Sequence, residues 1–156
     1  MQTIKITTKI NAPIQRCFDL STSIDLHKIS ASKSKEQAIT GITEGLIKLN
    51  ETVKWKAKHF GLWHKMKVKI TEYHKPNNFT GEMLDGIFKF LKHKHEFKSQ
   101  DNQTIMIDTF IFASPLGFLG RMVDKLILNN YMTEFLIERN QVIKEFAETE
   151  KWKQVL

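Results

Sequence analysis

Two histidines and one aspartate stand where they could do chemistry. In the stretch KFLKHKHEF, His93 and His95 share a parity with Lys89, Leu91 and Phe97. In TIMIDTFIF, Asp108 shares a parity with Met106, Phe110 and Phe112. Successive side chains of a strand point to opposite faces, so both stretches put these polar residues on the apolar, inward side. The Cα atoms of His93 and His95 are then about 6.6 Å apart. Ser99-Gln100-Asp101-Asn102 is a short hairpin loop, which makes the two strands neighbours and lets Asp108 face either imidazole. A buried carboxylate needs a partner. Beside an imidazole it raises the imidazole pKa and fixes its tautomer.

Three roles fit that group. It can be a self-satisfied polar network that rigidifies the sheet. It can anchor a polar head group in an otherwise apolar cavity. It can also do chemistry, with His93 or His95 as general base or metal ligand. Metal is the least supported form, because zinc needs a third protein ligand and Asp108 is the only candidate that the spacing offers. There is no nucleophile motif, no Gly-rich phosphate loop and no HExxH, so no catalytic residue, metal ligand or cofactor is assigned. The ligand-binding candidates are Trp55, Met66, Val68, Met83, Leu91, His93, His95, Asp108 and Phe110, with Ile70 a further lining candidate. The apolar members are equally suited to plain core packing.

Other strands must build that inner face. Between Lys54 and Ile70, six of seventeen residues are lysine. Lys54, Lys56 and Lys58 alternate with Val53, Trp55, Ala57 and His59. Lys65, Lys67 and Lys69 alternate with Met66, Val68 and Ile70. The pattern predicts two strands joined at Phe60-Gly61-Leu62, lysine outside and apolar bulk inside. TIKITTKI predicts a first strand, stopped by Asn11-Ala12-Pro13. Ile14 to Leu20 predicts a short helix with Cys17 as a small core residue. SIDLHKIS predicts a second helix, with Ser23 as N-cap. NFTGEML adds a strand after the Lys75-Pro76-Asn77-Asn78 turn.

From about Leu116 to Glu148 no proline interrupts a single long helix, about 45 Å if straight. Leu119, Met122, Val123, Leu126 and Ile127 make one apolar side; Leu128, Met132 and Phe135 lie near another. Asn129-Asn130 breaks the run and marks a candidate bend. His59 and His64 flank the Phe60–Trp63 turn and are expected at the surface, as is His27 on the second short helix. Trp63 beside a turn points to partner contact or a lid.

The chain has 156 residues, 41% hydrophobic and 26% charged, which suits one globular domain over 1–156. One cysteine, Cys17, excludes an internal disulfide. No segment has the length of a signal peptide's apolar core or of a membrane span, so a cytoplasmic protein without stable membrane insertion is expected. The net charge is +7, from 24 Lys+Arg against 17 Asp+Glu. Only Arg16, Arg121 and Arg139 are arginine. Bidentate phosphate readers lean on arginine, whereas scattered strand lysines keep a sheet soluble; no nucleic-acid partner is expected.

The order β-α-α-β-β-β-β-β-β-α resembles the helix-grip fold of the START-like (SRPBCC) superfamily, with its Bet v 1-type, polyketide cyclase/dehydrase-like and lipid-transfer members. The resemblance rests on Ile10-Asn11-Ala12-Pro13 with Phe18, on His93-Lys94-His95-Glu96-Phe97, on Asp108, and on Ser114-Pro115-Leu116-Gly117 with Gly120. The chain resembles a bacterial ligand-binding branch of that superfamily. The resemblance implies an α+β domain of six or seven antiparallel strands wrapped around the C-terminal helix, with a cavity between them. His27 would lie where such proteins place the pocket entrance. The implied function is binding of a hydrophobic or amphipathic small molecule, a lipid, isoprenoid or polyketide-like compound. A cyclase/dehydratase-type enzyme using His93, His95 and Asp108 stays open. So does a protein- or membrane-interaction module using Trp63 and the long helix, and homodimerisation with it.

Overall fold

Seven strands alternate apolar and polar residues and form one antiparallel sheet in the order β1-β7-β6-β5-β4-β3-β2. The computed structural model describes residues 1–156. The strands are β1 (Gln2–Ile10), β2 (Gln37–Gly41), β3 (Thr52–His59), β4 (Leu62–His74), β5 (Asn78–Asp85), β6 (Phe90–Gln100) and β7 (Gln103–Ala113). Two short helices, α1 (Ile14–Thr22) and α2 (Ile24–Ser30), follow β1. Ser23 caps α2, its side chain accepting from Leu26 N at 3.1 Å. That satisfies one of the first-turn amides, as an N-cap should.

The long C-terminal helix spans 32 residues and is not uniform. α3 (Gly117–Val123) runs through a π turn (Asp124–Leu128) into α4 (Asn129–Glu148). The amide of Asn129 reaches back to Asp124 O. This i→i−5 bond inserts an extra residue next to the Asn129-Asn130 break and changes which side of the helix faces the sheet. Leu128, Met132 and Leu136 consequently turn inward, while Leu116, Phe118, Leu119 and Leu126 stay exposed.

The β3–β4 hairpin is as the alternation predicts. Val53, Trp55, Ala57 and Ile70 are buried, and the register sets Trp55 opposite Met66 and Val53 opposite Val68. Phe60 and Gly61 both have positive φ, 52° and 76°, so the turn is the two-residue kind that matches strand twist, and its second position favours glycine. The lysines line the other face. Lys56 Nζ lies 5.0 Å from the Trp63 ring, the one aromatic contact that the outer row makes. Replacing Lys54, Lys56 and Lys67 together by glutamine should change unfolding free energy by no more than about 0.5 kcal/mol per site, measured by urea titration. A parent protein that bound duplex DNA tightly at low salt, with that binding lost in the triple variant, would contradict a purely solvating role.

Candidate functional site

Three elements carry polar residues between apolar ones on the faces they turn inward. On β6, His93 and His95 lie between Leu91 and Phe97; on β7, Asp108 lies between Met106 and Phe110. On α4, Arg139 and Asn140 lie between Leu136 and Ile143, all four buried. The pleat repeats every two residues and the helix about every 3.6, so each set shares a face. They meet as a polar belt between two apolar clusters. One gathers Phe18, Met106, Ile143 and Phe146; the other gathers Ile4, Leu91, Phe110 and Leu136.

Asp108 is the centre of the belt. It is fully buried and stands directly across from His95 in the β6–β7 register. His93 Nε2 donates to its Oδ1 at 2.8 Å. Asn140 Nδ2 donates to its Oδ2 at 2.7 Å and also reaches Thr8 Oγ1 at 3.3 Å. The His95 Nδ1 is another 2.8 Å from Oδ1, but the ring is turned so that no aligned hydrogen bond forms. Any charge attraction there, which depends on distance more than on angle, needs a protonated His95. Arg139 Nη1 sits 4.0 Å from Oδ1, and its Nη2 donates to the Ser21 carbonyl at 3.4 Å.

Burial pushes the Asp108 carboxyl up, but His95 and the hydrogen bond from His93 outweigh it and hold the group well below the usual carboxylate range. Asp108 does pull the imidazole pKa values up, as expected, but the net shift of both is downward. Desolvation lowers His93 against the opposing pull of Asp108. It takes His95 down to about 3, with the His93 ring adding to the effect. Burial is the main reason, since a protonated imidazole would lose its hydration there, and the Arg139 guanidinium adds a smaller repulsion. The two rings are also 3.8 Å apart, centroid to centroid. At neutral pH the belt therefore holds one carboxylate, one guanidinium and two neutral imidazoles. With its proton on Nε2, as the bond to Asp108 requires, His93 keeps Nδ1 as an acceptor.

His93, His95 and Asp108 bring three metal-ligating atoms within 4.8 Å of one another. Both imidazole nitrogens close directly onto one carboxylate oxygen at 2.8 Å, and Arg139 puts a positive charge beside it. An ion would have to part these contacts to reach its bond lengths of roughly 2.0–2.2 Å. The arrangement fits a hydrogen-bonded belt better than a metal centre.

His93, His95 and Arg139 form one polar wall of a cavity of about 350 Å³ between the sheet and α4. That volume lies in the range of small-molecule sites, roughly 300–1,000 Å³. Of its 32 lining residues 20 are hydrophobic, so an apolar body is what it accommodates. Trp55, Met66, Val68, Ile70, Leu91 and Phe110 line it as the alternation predicts. Two expected residues do not. Asp108 lies behind the histidines and Arg139 and acts on the cavity only through them. Met83 pairs with Val68 in the sheet, but its sulfur packs against Gly86. Ile87 and Phe88, on the loop that follows, line the cavity in its place.

A second polar group was not evident from the sequence pattern. His27, Glu36, His59, His64 and Tyr131 all line the same cavity. His59 Nδ1 and Tyr131 Oη are 2.6 Å apart. His27 stacks on Trp55 at 4.2 Å, and its Nε2 lies 3.1 Å from Glu36 Oε1. The surface positions expected for His27, His59 and His64 are thus corrected: all three are half-buried. The signal for His59 was present, since it continues the inward parity of Val53, Trp55 and Ala57. Desolvation lowers the His59 imidazole and raises the Tyr131 phenol. Phe60, Leu62 and Ile87 are exposed lining residues and mark the mouth.

No protein-family model and no curated protein matches the sequence. Solved structures do match its fold. A protein from Thermus thermophilus superposes with a TM-score of 0.77 at 15% identity, covering 94% of this chain and 97% of that one. The ginseng major latex-like protein 151 of Panax ginseng gives 0.70 at 13%, over 95% and 98%. A START superfamily protein from Mycobacterium smegmatis gives 0.70 at 11%, over 94% and 97%. The chain has the START-like, Bet v 1-type fold.

Proposed function

We propose that this START-like chain binds a hydrophobic or amphipathic small molecule, of lipid, isoprenoid or polyketide type, in the cavity between sheet and α4. The observation that carries the reading is the cavity itself: apolar over most of its wall and provided with polar side chains at fixed places. The START-like, Bet v 1-type fold supports that reading. Catalysis is less favoured by the same geometry. A general base works best with a pKa near the operating pH, and burial drives His93 and His95 away from it.

The test is to fill the cavity. Ala57 is buried and faces the space from β3. Ala57→Phe should weaken binding of the neutral dye Nile red by about tenfold or more, equivalent to about 1.4 kcal/mol, while the unfolding midpoint holds or rises. Unchanged dye affinity in a folded Ala57→Phe variant would place the dye elsewhere and sink the proposal.

A second reading rests on α3. Phe118, Leu119 and Met122 on α3, Leu116 just before it and Leu126 in the adjoining π turn are all exposed, and that turn also supplies Leu128 to the cavity wall. An apolar surface of this kind is suited to partner or membrane contact. No helix is long and apolar enough to cross a membrane, so such contact would be peripheral. Salt-sensitive co-sedimentation with anionic vesicles would support this reading over the first.

A further inference from the structure

Two buried charges of opposite sign line the cavity, and each keeps one hydrogen-bonding atom unused. Glu36 has a side chain only 7% exposed; its Oε1 meets His27, and its Oε2 meets nothing. Arg139 has a side chain only 6% exposed; its Nη1 has no hydrogen-bond partner, the nearest acceptor being Asp108 Oδ1 at 4.0 Å. The two do not pair with each other, since Glu36 is hydrogen-bonded to His27 and Arg139 faces Asp108. Buried polar groups are nearly always satisfied, and an orphan in a native interior calls for an explanation. Here one orphan is an acceptor without a donor and the other a donor without an acceptor. Both residues line the same apolar cavity.

We propose that the cavity's ligand is bifunctional: an apolar body with an acceptor oxygen, carboxylate or carbonyl, for Arg139 Nη1, and a donor, hydroxyl or ammonium, for Glu36 Oε2. This rests on the cavity-binding reading above and narrows its ligand class. A plain fatty acid satisfies Arg139 alone, and a plain isoprenoid or fatty alcohol satisfies Glu36 alone. A hydroxy acid, an amino acid with a long apolar spacer, or a hydroxylated ketone satisfies both. Each charge-assisted bond formed out of water adds affinity, because the protein has already borne the desolvation of its own partner. The cavity should therefore prefer the more polar, two-headed compound over its simpler relatives, the reverse of what apolarity alone dictates.

The experiment is Nile red displacement by ω-hydroxy acids of eight, ten and twelve carbons, each against the plain acid and plain alcohol of the same length. At the best-fitting length the hydroxy acid should displace the dye at about tenfold lower concentration than either relative. Glu36→Leu should abolish its advantage over the acid while leaving the acid within about threefold of its parent value. Arg139→Met should abolish its advantage over the alcohol. That variant removes a belt charge and its folding is at risk, so the Glu36→Leu arm decides by itself. The ω-amino acids separate the two donors: Glu36→Gln should spare the hydroxyl compound and weaken the ammonium one. A dye displaced equally well by acid and hydroxy acid at every length overturns this proposal and leaves cavity binding intact. A dye that never enters the cavity removes the underlying reading instead.

Discussion

Replacing Asp108 by alanine is expected to destabilise the protein by on the order of 3 kcal/mol, the cost of breaking a buried charge set by removing one partner. Its carboxylate is the acceptor for His93 Nε2 and Asn140 Nδ2 and the counter-charge nearest Arg139. Without it, Arg139 becomes an unbalanced buried cation and two donors lose their partners. Asp108→Asn keeps the shape and one acceptor oxygen, so its loss should be distinctly smaller. Urea unfolding of the three proteins reads this directly. Equal stability of Asp108→Ala and parent would mean that the belt admits water freely. Among folded variants, Asp108→Asn should also weaken a polar-headed ligand more than Nile red, because it disturbs His93 and Arg139 but not the apolar wall.

Acidification should destabilise the protein well before carboxylates begin to protonate. In the unfolded chain a histidine takes up its proton near pH 6.5; in the fold His95 does so only near about 3, and His93 is lowered too. Between those values the unfolded state binds more protons than the native one, so stability is full above about pH 6.5 and falls as pH drops. His95 alone should remove about 2 kcal/mol between pH 7 and pH 5. Asp108 adds its own loss at lower pH, since its folded pKa is depressed and its stabilisation fades only as pH falls toward that value. Unfolding free energies measured from pH 7.5 to 5 should thus slope steeply, and His95→Gln should flatten the slope. Stability that instead rose on acidification would mean that the histidines gain charge by pairing with Asp108 in the fold.

Strand periodicity made most of this architecture legible. Trp55, Met66, Val68, Leu91 and Phe110 alternate with lysine or other outward residues, and period two admits one inward face. The short loop at Ser99–Asn102 likewise brought Asp108 to His95 without any structural knowledge. What stayed hidden was helical. Arg139 and Asn140 come from α4, 32 residues beyond Asp108 in the case of Asn140, and more than one side of that helix is apolar. Its rotation is set by the π turn at Asp124–Leu128, which periodicity does not announce. A narrower signal was there: Leu136, Arg139, Asn140 and Ile143 follow the three- and four-residue spacing of a single face. Glu36 was invisible for another reason, and only the resemblance brought His27 to the pocket. Their pairing depends on the path of the irregular segment after α2, and no periodic pattern governs it. The sign of the histidine shift was missed because the carboxylate does attract a proton to imidazole, but the depth of burial, which outweighs that pull, is set by how α4 covers the strands.

The central claim is that ligand enters the space between the sheet and α4 rather than resting on the exposed side of α3. Amide chemical-shift mapping of the labelled protein, titrated with decanoic acid, tests it most directly. The largest shifts are expected at Trp55, Val68, Leu91, His93 and Arg139, saturating at one equivalent. Shifts confined to Phe118, Leu119, Met122 and Trp63, rising without saturation, would contradict it.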